Sequence, residues 1–289
     1  MADQGEAGLG RQGGNAIRTP LRLLPEQYPR VRALFEPLRY NTVVDSVIDG
    51  NTPAWVVAAD AERPTTALMW PRQDAMLVAG RPDAHDFNAA LHTLLTSEVV
   101  PDARARGIPY LSLHYPDRAW KRPIEAEILP GLGATRVRRR TYRRGQLRGN
   151  WQRGMPPNWE MRRVDERLLT SSLTYADQMA GWVRSFWVSD ADFAARGLGF
   201  CLANDEAVAS WCVSVFVSAP DFELGVATAP EYQGHGFATL TATAFVEHCI
   251  KNRLTPRWHC WEDNKASQCV AAKVGFESPM RYDVYRFEL

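Results

Sequence analysis

From Glu223 to Leu240 the chain reads Glu-Leu-Gly-Val-Ala-Thr-Ala-Pro-Glu-Tyr-Gln-Gly-His-Gly-Phe-Ala-Thr-Leu. A strand pattern runs into a tight loop, and the loop opens a helix. Gly234 and Gly236 remove side chains where backbone must approach a ligand closely. The first N–H groups of a helix lack intrahelical partners and stand at the positive end of its dipole. A loop of this kind suits a phosphate. Behind it, Ala238, Ala242, Phe245 and Cys249 form one small and apolar stripe that can seat the helix on a sheet. The loop lacks the Gly-Lys-Ser/Thr of a P-loop and the third glycine of a dinucleotide fingerprint.

A second segment runs from Trp261 to Phe276, Trp-Glu-Asp-Asn-Lys-Ala-Ser-Gln-Cys-Val-Ala-Ala-Lys-Val-Gly-Phe. Asn264 is placed to cap a short helix, and Gly275 to end it in a left-handed turn. Together the two segments resemble the signatures of the GNAT superfamily of N-acetyltransferases. Gln233, Gly236 and Ala238 fit its Gln/Arg-x-x-Gly-x-Gly/Ala loop, and Asn264 with Gly275-Phe276 fits its second motif. The resemblance in motifs covers roughly residues 162–289.

The resemblance implies two splayed parallel strands with acetyl-CoA between them as cosubstrate, and no metal. The edge Val226-Ala227-Thr228 would pair with the pantetheine amides, the Val226 N–H polarising the thioester carbonyl. Gln233, Gly234, His235, Gly236, Phe237, Ala238 and Thr239 would cradle the pyrophosphate. Asn264 and Ser267 would line the other side of the arm. A base must take the amine's proton, and Glu223 is the candidate; on a strand it faces away from Phe222 and Leu224. Many relatives carry a Tyr where this chain has Ala271. The thiolate then takes its proton from Tyr282, Tyr285 or Cys260, or leaves as the anion; an acyl-Cys260 route is the covalent alternative. Trp211, Trp258 and Trp261 line the acceptor pocket or pack beneath it. Glu262 and Asp263 would favour a cationic acceptor.

These residues need elements to position them. The expected class is α/β with a mixed sheet, in two tandem GNAT-like domains of which the C-terminal one carries the acetyl-CoA site. Both halves read helix, three strands, helix, strand, helix, strand. The first half includes a helix over Pro25–Leu38, a second over Asp86–Val99 and an Arg-rich strand over Thr135–Arg143. Residues 1–18 read as a flexible tail, 19–145 as a degenerate copy without the loop, 146–158 as a linker with Gly149, Gly154, Pro156 and Pro157, and 159–289 as the catalytic domain.

Composition narrows the function classes. Of 289 residues, 45% are hydrophobic and 23% charged, as in a globular protein with a full core. No apolar run reaches bilayer length, and the N-terminus lacks a signal-peptide pattern, so a cytoplasmic protein is expected. The five cysteines form no CxxC pair. His248-Cys249 and His259-Cys260 come nearest to a metal set, but neighbours on a strand point to opposite faces. Up to Gly154 there are 22 basic and 16 acidic residues, and after it 12 and 17. The excess sits in Arg136–Arg148, which reads either as a nucleic-acid contact or as a charged, aggregation-blocking edge strand. Its few aromatics, Tyr142 and Trp151, argue against nucleic acid. The favoured partner is a small-molecule amine, with a non-catalytic CoA sensor as the remaining alternative.

Overall fold

The computed structural model describes residues 20–289; the expected tail, residues 1–18, lies outside them. Twelve strands form one mixed sheet among these residues: β1 (Leu21–Arg22), β2 (Trp55–Ala58), β3 (Thr66–Trp70), β4 (Ala75–Gly80), β5 (Tyr110–His114), β6 (Thr135–Arg144), β7 (Glu160–Arg163), β8 (Gly199–Ala203), β9 (Val208–Ser218), β10 (Asp221–Thr228), β11 (Thr255–Trp261) and β12 (Phe276–Glu288). Their spatial order is β1-β2-β3-β4-β5-β12-β6-β11-β10-β9-β8-β7.

The last strand of each half lies beyond the other's. β12 inserts between β5 and β6, and β6 inserts between β12 and β11. The Arg-rich strand is therefore interior, not an edge. Its charges are tolerated because alternate arginines find acids on one face, as described below. The two halves repeat a second feature. β4 pairs parallel with β5 only over Ala75–Leu77, and β10 with β11 only over Asp221–Glu223. Beyond those residues each pair parts.

Helices cover both faces. Phe237–Lys251 buries Ala242, Phe245, Val246 and Cys249 against the second-half core, with Trp258 and Phe276. The first-half helix Thr42–Ile48 packs Val43, Val44, Val47 and Ile48 into a cluster that includes Val215 and Phe216 of β9. Each such side chain contributes about 1.5–3 kcal/mol by leaving water. Polar contacts fix the seam: Ser46 Oγ accepts from Val217 N–H at 3.3 Å, and Asn51 Nδ2 donates to Val217 O at 2.9 Å.

Three elements differ from the sequence reading. Pro25–Leu38 forms two 3₁₀ segments, Pro25–Val31 and Glu36–Leu38, because Pro29 and Pro37 interrupt the N–H donors an α-helix needs. The expected helix ending at Val99 continues through a π-turn, Leu95–Val99, into Val100–Ala105. The wider turn accommodates Pro101, which has no N–H to give. A further helix, Asp190–Arg196, starts where Ser189 Oγ accepts the Asp192 N–H.

Candidate active site

The glycine loop has the backbone its sequence suggests. Gly234 and Gly236 stand at φ 84° and 81°, in the left-handed region. Gly236 is the N-cap of Phe237–Lys251 and no side chain caps it. The first amides of that helix are therefore available to an anion. Gln233 Nε2 donates to Thr228 O at 3.3 Å and ties the loop to the end of β10.

A cleft of about 450 Å³ opens beside this loop. Val226, Ala227 and Thr228 form one wall, and Gln233, Gly234 and Gly236 through Thr239 the head. Asn264 and Ser267 stand on the far wall. His235 is not part of the lining; its ring lies 5.6 Å from that of Phe237. Asn264 caps Lys265–Val274, its Oδ1 accepting from Ser267 N–H at 2.9 Å, which leaves its amide nitrogen free of that bond. Gly275 closes the same helix at φ 108°. The sequence reading missed Tyr232, Ala266, Val270 and Lys273 in the lining. Positions 266, 270 and 273 share the helical face of Asn264 and Ser267, so three- and four-residue spacing carried that signal.

Glu223 sits where β10 and β11 part. It is 8% exposed and faces away from the core residues Phe222 and Leu224, as expected. Burial pushes its carboxyl up to about 7, against the pull of Arg139 and of hydrogen bonds from the side chain and backbone of Thr42. Thr42 belongs to the first half, so that half roofs the candidate base. His259 Nε2 lies 4.0 Å from Glu223 Oε2. Burial and then the charge of Arg139 hold the imidazole down at about 3, so it is neutral.

Register extends this cluster across five strands. Thr141 faces His259, Arg139 faces both Trp261 and Tyr282, and His114 follows on β5. His259 is 3.1 Å from Thr141 Oγ1 and 3.1 Å from Tyr282 OH. Tyr282 OH reaches Asn41 Oδ1 at 3.5 Å, and burial raises its phenol. The Arg139 guanidinium lies 4.5 Å from the centre of the Trp261 ring. The result is a polar stripe on one face of the sheet, centred on the junction of the halves. His259 entered the sequence reading only as a metal candidate. Among the described residues no group of His, Cys, Asp and Glu could hold a metal.

Three other expected residues fall elsewhere. Cys260 and Tyr285 point to the opposite face from Glu223. Cys260 is buried beside Tyr142 OH at 3.9 Å, and burial raises its thiol, which disfavours the thiolate a covalent route requires. Tyr285 donates to Glu125 within the first-half core, away from Tyr282. Glu262 is taken by arginines: Arg140 at 3.0 Å, Arg281 at 2.9 Å and Arg138 at 3.8 Å, which hold its carboxyl below the usual range. It is not free for a cationic acceptor. The same pairs, with Arg136 and Arg138 on Asp283, neutralise much of the basic strand. Trp211 is buried opposite Ala227 and packs edge-to-face on Trp182 at 6.2 Å. Trp258 donates to Ser267 Oγ at 3.0 Å, so it packs beneath the cleft wall.

Known proteins resemble this chain in sequence or in fold. An uncharacterized N-acetyltransferase of Bacillus subtilis strain 168, YdfB, is 24% identical over 266 residues, 91% of this chain and 97% of that protein. A GCN5-related N-acetyltransferase-like protein from Streptococcus suis 89/1591 superposes with TM-score 0.66 at 20% identity, over 91% of this chain and 98% of its own. A tandem GNAT protein from the clavulanic acid biosynthesis pathway does so with TM-score 0.53 at 16% identity, over 93% and 97%. The family model for GNAT acetyltransferases matches residues 32–285. That match takes in both halves, including the first, where no motif stands out by eye, and on this ground the chain belongs to the GNAT acetyltransferase family of acyltransferases.

Proposed function

We propose that the chain transfers the acetyl group of acetyl-CoA to a primary amine of a small molecule, by direct attack of the amine on the thioester, and that the second half holds the acetyl-CoA. The observation that carries this reading is the cleft between Val226–Thr228 and Asn264–Ser267, headed by an uncapped helix start and ending toward Glu223. The residues fit the group. Backbone amides at Gly236 and beyond would hold the pyrophosphate, and the edge of β10 would hold the arm. The first half lacks this chemistry: its corresponding helix, His85–Leu94, begins among Asp83 and Asp86, whose charges oppose a phosphate.

Glu223 lies three residues before Val226, about 10 Å along the strand. An amine and one relaying water fill that distance. With its carboxyl near 7, Glu223 is partly ionised at neutral pH and can accept the proton that the attacking amine must lose. The C–N bond forms as the C–S bond breaks, and the thiolate leaves. Thr42 holds the carboxylate in place, and Thr141 and Tyr282 hold the neighbouring His259. The test is a screen of small amines with acetyl-CoA, following release of free thiol. Amine-dependent release supports the reading. Intact acetyl-CoA with every amine contradicts it.

A further inference from the structure

The polar stripe contains one cation that the transfer chemistry above does not use. On β6, Arg136, Arg138 and Arg140 point to one face and each meets a carboxylate, Asp283 or Glu262. Arg139 points to the other face, into the stripe, and forms no ion pair within 4 Å among the described residues. Its Nε is shielded from solvent and has no hydrogen-bond partner among those residues. Its surroundings are aromatic and neutral: the Trp261 ring, the Tyr282 hydroxyl and His114. The carboxylates whose charge reaches it are Asp74 and Glu223, neither in contact.

A shielded guanidinium without a contacting anion is costly to hold. The same fold had acids to hand and used them on the opposite face of the same strand. A guanidinium also offers a flat fork of donors that matches a carboxylate or a phosphate. Glu223 and Arg139 thus place an acid and a base of opposite charge in one stripe. Two intervening strand spacings and four residues of register separate their backbones.

Resting on the acetyl-transfer reading, we propose that the acceptor is an amine that also carries an anionic group, its amine directed to Glu223 and its anion to Arg139, stacked against Trp261. Polyamine-like and other purely cationic acceptors are disfavoured by the same arrangement. The paired state of Glu262, which removes one of the two rim carboxylates expected to attract them, points the same way.

The experiment compares amino acids and other amino-carboxylates with their methyl esters and with the amines that lack the carboxyl, in the full-length protein, by thiol release from acetyl-CoA. The expected result is a kcat/KM for the acid at least roughly 30-fold above that of its ester, the size of losing one partner of a shielded charge pair, carried mainly in KM. Arg139→Gln is expected to erase the preference by bringing the acid down towards its ester, and Arg139→Lys to keep part of it. Equal use of acid and ester by the unaltered protein would overturn the proposal without any variant. So would an Arg139→Gln protein that slows both substrates by the same factor, which would make the residue structural. Turnover of neutral or purely cationic amines alone would overturn the acceptor class and leave acetyl transfer standing. Absence of turnover with every amine would contradict acetyl transfer itself and the acceptor class with it.

Discussion

Replacing Glu223 by Gln separates a functional carboxylate from a structural one, because the two readings predict opposite signs for stability. Burial raises the Glu223 carboxyl from its ordinary 4.5 to about 7 in the folded protein. A raised carboxyl binds its proton more tightly in the folded than in the unfolded chain. Its contribution is therefore favourable at low pH and is lost as pH rises from 4.5 through 7. A difference of that size corresponds to about 3 kcal/mol of destabilisation at pH 8. Gln keeps the shape and can still accept from Thr42, but never ionises. The variant should then match the parent near pH 4.5 and exceed its stability by up to about 3 kcal/mol at pH 8, measured by urea unfolding at both values. Turnover should move the other way, falling roughly 10²–10⁴-fold at neutral pH, with acetyl-CoA affinity nearly intact. The turnover defect should shrink as pH rises and more of the acceptor amine is already neutral. A Glu223→Gln protein that is less stable than the parent at pH 8, or that turns over at the parent rate at pH 7, would refute the assignment of a buried, proton-accepting carboxylate.

Other expectations follow from single contacts. His259 is held down at about 3 in the fold, so the unfolded chain takes up its proton first; the His259 contribution to stability is lost as pH drops below about 6.5, opposing the gain from Glu223, and His259→Asn should gain in stability relative to the parent as pH falls from 6.5, read by urea unfolding. Gly275 sits at φ 108°, and a Cβ there would meet the Gln146 carbonyl oxygen at 2.0 Å, so Gly275→Ala should cost at least about 2 kcal/mol in thermal or urea unfolding. Removing β12 by ending the chain before Phe276 should unfold both halves together, because β5 and β6 each lose a neighbour; circular dichroism showing a folded first half would contradict the exchanged-strand core.

The wall and head of the cleft were legible because they are local. Gly234, Gly236, Asn264 and Gly275 each act within a few residues, by backbone conformation or capping, and sequence spacing records that directly. The splaying of β10 from β11 came only through family resemblance, since no residue pattern marks where a ladder stops. The exchange of β6 and β12 was not legible at all. Hydrophobic alternation says that a strand has a buried face and is silent about which neighbour it pairs with, so nothing in the Arg-rich strand's own pattern distinguishes the edge position, one of its two sequence readings, from the interior one it occupies. The stripe around Glu223 failed to show for a related reason. Thr42, His114, Arg139, His259 and Tyr282 come from five separated segments and meet only through register. Glu262 was misread because its three arginine partners arrive from β6 and β12, which no local rule brings beside it.

The central claim is that one cleft, in the second half, holds acetyl-CoA. Calorimetric titration of acetyl-CoA into the full-length protein and into Gly236→Asp tests it most directly. A carboxylate at the helix start would repel the pyrophosphate and occupy the space of its oxygens. The predicted result is one site per chain in the parent and no measurable binding in a Gly236→Asp protein whose circular dichroism is unchanged. Two sites per chain, or undiminished affinity in the folded variant, would contradict it.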